Sequence, residues 1–222
     1  MDNWLMLVIG VVVVVVIEVI AYRAYKRYRA RKEARFTKES LGEVFGDMEA
    51  TRAYLLRAKE FLKQCSKQAK EEGDEAVACL VDSLLAGERA QLEGLEELRQ
   101  KLDAKAVEFQ KKEYDFPTLA DALESYAAEA AAWAYDTVPG MVQRARKEGY
   151  RDVAKQLRII GEVEGGHADL ARGAAQGQVD REHEVSLCPT CGAVYFGRRP
   201  AFCTICNQPN FEMERMRRGV LD

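Results

Sequence analysis

The sequence predicts a mainly α-helical chain built from one N-terminal transmembrane helix, a four-helix bundle and a small C-terminal metal knuckle. Three observations carry that prediction. A nearly unbroken apolar run fills the first 21 residues, two helix-turn-helix segments repeat at an offset of 76 residues, and two Cys-x-x-Cys pairs lie near the end of the 222-residue chain. A chain of this length has room for one ordinary domain and a small satellite. Its charged fraction of 31% against 48% hydrophobic residues is that of a folded protein rather than a disordered one.

The first element is the anchor. From Trp4 to Ala21 the chain reads WLMLVIGVVVVVVIEVIA, broken only by Gly10 and Glu18. Eighteen helical residues at about 1.5 Å each span roughly 27 Å, close to the hydrocarbon thickness of a bilayer. Arg23, Lys26, Arg27, Arg29, Arg31, Lys32 and Arg35 follow, interleaved with Tyr22, Tyr25 and Tyr28 at interfacial depth. The positive-inside rule then predicts a single pass through the cell (inner) membrane, N-terminus outside and the rest of the chain cytoplasmic. A cleavable signal peptide would carry its basic residues before the apolar run and a small-residue cleavage site after it. Residues 1–35 therefore read as anchor and basic juxtamembrane segment. They carry a charge of +4, which leaves −7 on everything after them. That acidic remainder lacks the basic footprint of phosphate contacts, so nucleic acid is excluded as a partner and the membrane is expected as one.

Residues 36–175 read as the bundle. The segment AKEEGDEAVA, Ala69 to Ala78, matches ARKEGYRDVA, Ala145 to Ala154, with Gly73 opposite Gly149. A Gly between two long apolar-periodic segments marks a helix, a tight turn and a second helix, and two such hairpins make four helices. The polar stretch around Val107 to Pro117 ends in Asp115-Phe116-Pro117-Thr118, a helix start with Pro in the first turn. Its length suits the one long crossover of ferritin-like bundles. After Gly73, Val77, Val81, Leu84, Glu88, Gln91, Leu95 and Leu98 form one inward seam, and after Gly149 the same seam runs Val153, Leu157, Ile160, Glu164, His167 and Ala171. A Glu and a His three residues apart share one helical face and can point at one ion. Burying a carboxylate there is costly unless a metal or a hydrogen-bond partner neutralises it. Two readings thus stay open for the polar seam residues: metal ligands, or a hydrogen bond across the core.

After a polar linker, residues 176–186 with His183, the last domain spans 187–222. Cys188-Pro-Thr-Cys191-Gly and Cys203-Thr-Ile-Cys206 can point four sulfurs at one point, a soft tetrahedral set that suits Fe or Zn in a reducing compartment. Asn207 stands where a Gly would be more usual after the second pair, a mark of zinc ribbons. Cys65 and Cys79 fall outside any metal spacing and read as buried small hydrophobes, and Trp133 and Tyr135 as core or near-core packing.

Over most of residues 40 to 215 the sequence resembles rubrerythrin, a non-haem iron family that joins a di-iron four-helix bundle to a C-terminal rubredoxin-like domain. The resemblance is strongest in AEAAAWAYDTVPGMVQRARKEGYRDVAKQLRIIGEVEGGHADLARG, Ala128 to Gly173. In the cysteine segment it rests on Cys-Pro-x-Cys-Gly, on Tyr195 and Pro200, and on Phe202 and Phe211 as packing for a tiny core. In that family each hairpin gives a Glu from its first helix and a Glu-x-x-His from its second. Glu164 and His167 match the second such motif, and Glu88 matches the Glu of the first, with Gln91 in place of its His. Aligned on Val138-Pro139, the family's paired glutamates fall on Ala130 and Trp133. Glu129, one position away, would serve if the helix carries a local bulge. In the first hairpin the expected Glu falls on Leu55, and Glu49 lies about six residues, roughly 9 Å of helix, too far from the turn. Glu88, Glu129, Glu164 and His167 remain as a bundle metal set, fewer than the family's full complement.

The resemblance implies Fe at Cys188, Cys191, Cys203 and Cys206 as a one-electron carrier, fed by a redox partner protein or a membrane oxidoreductase complex. It further implies a homodimer and, where the bundle set is complete, peroxide reduction. The competing reading is a non-catalytic zinc-ribbon and bundle scaffold subunit of a membrane complex. No nucleotide-binding loop, nucleophile elbow or Ser-His-Asp pattern is present in the sequence.

Overall fold

The structure, a computed structural model, describes residues 22, 38–102, 114–179, 184–209 and 214–216. The apolar run Trp4 to Ala21, His183, Phe211 and most of the Val107 to Pro117 connection lie outside the described residues. Among those described, no helix is long and apolar enough to cross a membrane. The chain divides into two units, Met1–Gly42 and Glu43–Asp222, and the second holds both the bundle and the knuckle.

Two helical hairpins build the bundle. The first joins α1 (Lys38–Glu71) to α2 (Glu75–Lys101); the second joins a rod made of α3 (Leu119–Ala132), a π-helical turn (Trp133–Thr137) and α4 (Val138–Lys147) to α5 (Arg151–Ala175). The internal repeat is a repeat of one turn. Gly73 N–H donates to Lys70 O and Asp74 N–H to Ala69 O; 76 residues on, Gly149 N–H donates to Arg146 O and Tyr150 N–H to Ala145 O. Both glycines take positive φ, 74° and 84°, a conformation that closes the helix end at little cost only without a Cβ. Asp74 then starts α2 by accepting Val77 N–H on its carboxylate, and Thr118 starts α3 by accepting Asp121 N–H at 3.1 Å. Each such cap contributes about 1 kcal/mol. Pro117 precedes the Thr118 cap instead of lying in the first turn.

The second rod widens at Trp133–Thr137 because Pro139, just inside α4, has no N–H to continue the α ladder. Between the hairpins, Leu84, Leu95, Leu123, Leu157 and Ile160 are almost wholly excluded from solvent. Tyr135 lies outside this packing, 65% exposed on the widened turn, so it is a surface residue rather than the near-core one expected. Trp133 is partly buried and stacks on Tyr54, ring centroids 4.4 Å apart.

The C-terminal part is a three-stranded antiparallel sheet, β1 (Val185–Leu187), β2 (Val194–Phe196) and β3 (Glu214–Met216), in the order β2-β1-β3. It is too small for a core of its own. Cys188, Cys191, Ala193 and Cys203 pack instead with Ile159 and Val163 of α5, so the knuckle completes its apolar side on the bundle. Phe202, expected to fill the small core, is 59% exposed. Burial at this end comes from α5, and the aromatic is not needed for it.

Candidate metal centres

The knuckle is two copies of one turn. Cys188 N–H donates to Ala193 O and Gly192 N–H to Cys188 O; in the second copy Cys203 N–H donates to Gln208 O and Asn207 N–H to Cys203 O. Position five has positive φ in both, 82° at Gly192 and 65° at Asn207. Asn is among the few non-glycine residues that enter the left-handed region readily, so Asn207 performs the glycine's backbone task. The turns bring Cys188 Sγ to 3.5 Å from Cys206 Sγ and Cys191 Sγ to 3.5 Å from Cys203 Sγ, with all four sulfurs within 4.8 Å of one another. A metal–sulfur bond of about 2.3 Å implies tetrahedral edges of about 3.8 Å, so this set fits a tetrahedral thiolate metal. The thiols also compete for protons. A hydrogen bond from Cys191, with further bonds from backbone amides, pulls Cys188 down to about 5, while the same contact pushes Cys191 up. A cation replacing those protons removes the conflict. Cys65 is buried within the bundle and Cys79 partly so, neither of them disulfide-bonded or part of this set.

A second cluster lies in the bundle. Glu88 of α2 and Glu164 and His167 of α5, all essentially inaccessible to solvent, offer ligand atoms within 4.8 Å of one another. His167 Nε2 stands 3.0 Å from Gly192 O. A carbonyl only accepts, so Nε2 carries the hydrogen, and the Nδ1 lone pair faces Glu88 Oε1 and Glu164 Oε1, each 3.7 Å away. Nδ1, Glu88 Oε2 and Gln91 Oε1 have no hydrogen-bond partner among the described residues. Buried polar atoms left without partners beside three converging ligand side chains, Glu88, Glu164 and His167, suit one cation. Burial pushes both glutamates up, to about 8, and His167 down, so the metal-free cluster holds its protons on the carboxyls.

Two of the three groups that support this cluster, Tyr54 and Tyr126, were not singled out in the sequence. Tyr54 OH donates to Glu164 Oε2 at 2.5 Å, Gln91 Nε2 to Glu164 Oε1 at 2.7 Å, and Tyr126 OH to Glu88 Oε1 at 2.8 Å. Burial holds both phenols well above their ordinary range, so they remain donors. A Tyr on a buried helical face needs a partner for its hydroxyl, and that was the available signal. Gln91 makes the hydrogen bond across the core, to Glu164 of α5, and so steadies a candidate ligand. Glu129 corrects the expectation. Its side chain is 57% exposed and paired with Arg57 at 3.7 Å, because the helix widens one turn beyond it and leaves its direction unchanged. Glu129 lines a crevice of about 10 Å³ with Tyr54, Arg57 and Tyr126, and it is not among the side chains whose ligand atoms converge. Leu55 and Ala130 are fully buried apolar residues.

The chain thus combines a four-helix bundle that holds a buried Glu-Glu-His cluster with a four-thiol knuckle packed against its flank. Among solved structures the chain is similar to nigerythrin. The mixed-valence state matches with a TM-score of 0.71 at 21% identity, over 78% of this chain and 86% of that one. The partially reduced state gives 0.70 at 21% and the fully reduced, all-ferrous state 0.71 at 20%, with the same coverage. At such identities the likeness is one of fold. No family model and no curated protein matches the sequence.

Proposed function

We propose that this chain is a membrane-anchored, rubrerythrin-like non-haem iron protein that transfers single electrons through Cys188, Cys191, Cys203 and Cys206. The observation that carries the reading is the pairing of a four-sulfur set with a buried Glu-Glu-His cluster in one nigerythrin-like fold. Iron held by four thiolates supplies a one-electron couple, whereas zinc there supplies none. The chain's own part is to hold the sulfurs, shield three of them from water and connect them to the bundle. Gly192 follows Cys191 directly, and its carbonyl accepts the His167 hydrogen, so one peptide and one hydrogen bond join the two clusters.

In the bundle, Glu88, Glu164 and His167 would hold a single ion, with Tyr54, Tyr126 and Gln91 fixing the carboxylates. Leu55, Ala130 and Trp133, at the positions where the resemblance expects glutamates, leave the di-iron set incomplete. Electron transfer is therefore the activity assigned, with peroxide reduction to be assayed as its extension. Trp4 to Ala21 would span the inner membrane and present the domains to a cytoplasmic reductase or a membrane oxidoreductase.

Metal analysis and an optical spectrum of the purified full chain test the iron. A red protein with sulfur-to-iron bands that bleach with dithionite is expected. A colourless protein holding zinc alone sinks electron transfer and supports the scaffold reading. For the anchor, deletion of residues 1–35 should move the protein from the membrane pellet to the supernatant; a full chain that stays soluble overturns it.

A further inference from the structure

We propose that Tyr195 is a positioning residue that sets the electron affinity of the four-sulfur centre by hydrogen-bonding Cys203 Sγ. The inference rests on the iron reading above. Tyr195 lies on β2, and its hydroxyl stands 3.1 Å from Cys203 Sγ, 3.1 Å from Thr204 Oγ1 and 2.9 Å from Thr204 N. The backbone N–H of Thr204 donates to the phenol oxygen and occupies one of its lone pairs. Thr204 Oγ1 carries a hydrogen of its own and can donate to the other. The phenol's single hydrogen is then left for the sulfur, which as a metal-bound thiolate only accepts. The remaining sulfurs are served differently: backbone amides reach Cys188, Cys191 and Cys206. Cys203 takes a bond from a side chain, at a sulfur that is itself fully buried. Buried charge is weakly screened there, so the bond counts for more than it would in water.

The direction of the effect follows from charge. One electron entering from a reductant adds one negative charge to the metal–thiolate unit and makes or breaks no bond. A hydrogen directed at sulfur stabilises the more negative, reduced form more than the oxidised one. Tyr195 therefore raises the midpoint potential.

Tyr195→Phe keeps the ring and removes one oxygen, and the measurement is a spectroelectrochemical titration of the iron-loaded full chain. The reduction equilibrium constant should fall three- to tenfold, a negative shift of up to about 59 mV for one electron, with the sulfur-to-iron bands displaced. Thr204→Val, which leaves the backbone N–H in place, should change the constant less than twofold. An unchanged midpoint in Tyr195→Phe with its bands intact overturns the tuning role while leaving the iron reading in place. Loss of iron from Tyr195→Phe also overturns it, since the hydroxyl would then hold the site together instead of tuning it. A wild-type chain without sulfur-to-iron bands overturns both.

Discussion

Single residues carry most of the chemistry here, and their legibility depended on periodicity. Glu88, Glu164 and His167 could be found because polar side chains interrupt an otherwise apolar seam, and all three are essentially solvent-inaccessible. Glu129 could not be placed the same way, since its direction depends on where the helix widens, and the π-turn begins only at Trp133. The buried carboxyls also make the metal-free protein sensitive to pH. With Glu88 and Glu164 raised from 4.5 to about 8, the folded chain binds more protons than the unfolded chain between those values. The share of stability that these two carboxyls contribute to the chelator-treated protein should therefore fall as pH rises from about 4.5 to about 8, while His167, held low by burial, contributes in the opposite sense below its ordinary value. The loss is on the order of 1.4 kcal/mol for each tenfold difference in proton affinity. Glu88→Gln should flatten that slope in a thermal-melt series and abolish metal uptake by the bundle while the four-sulfur spectrum persists. A slope unchanged by Glu88→Gln would show that the carboxyl is ionised and compensated some other way. At the knuckle, Asn207 at φ 65° invites a second measurement. Asn207→Gly should be neutral or slightly stabilising, whereas Asn207→Val should cost about 1–2 kcal/mol because a branched side chain resists the left-handed region. Equal denaturation midpoints for the two variants would remove the argument that Asn207 substitutes for a glycine.

At the scale of elements, the hairpins were readable because the turn is written twice, with Gly73 and Gly149 in one hydrogen-bond pattern. The docking of the knuckle on α2 and α5 was not, because it depends on a backbone-to-backbone approach that no periodicity reports. Gly87 lies one residue before Glu88, and a Cβ added there would sit 2.5 Å from Gly192 O and 2.7 Å from His167 Cε1. Neither neighbour can yield cheaply, since one is backbone and the other is a buried ring hydrogen-bonded to it. Gly87→Ala should push the knuckle off α2 and break the bond between His167 and Gly192. An overpacking cost of about 1–3 kcal/mol is expected, together with faster hydrogen exchange at the knuckle amides and cleavage of the 176–186 linker by protease. The four-sulfur spectrum should survive, because the Cys turns close on themselves. If exchange and proteolysis match the wild type, the glycine contact is not what seats the domain.

At the scale of the molecule, the two clusters belong to one chain and meet through His167 and Gly192 at 3.0 Å. Ile159 and Val163 of the same α5 that supplies Glu164 and His167 form the seat of the knuckle. On the proposed iron reading, an electron leaving the sulfurs would reach the bundle within one chain. That arrangement makes a kinetic statement. Passage between the clusters should be first order and independent of protein concentration, as for any contact made before the electron arrives. A mixing experiment separates this from transfer across a dimer. One variant carries Cys188→Ser and Cys191→Ser, which empties the knuckle but keeps the bundle ligands; the other carries Glu88→Gln, which does the reverse. Mixed after refolding together, so that any dimer can form from unlike chains, they should show no transfer from knuckle to bundle metal by rapid-mixing spectroscopy, because neither chain holds both ends of the path. Recovery of a quarter or more of the wild-type amplitude would mean that the knuckle of one chain serves the bundle of another, and the same-chain route would have to be given up.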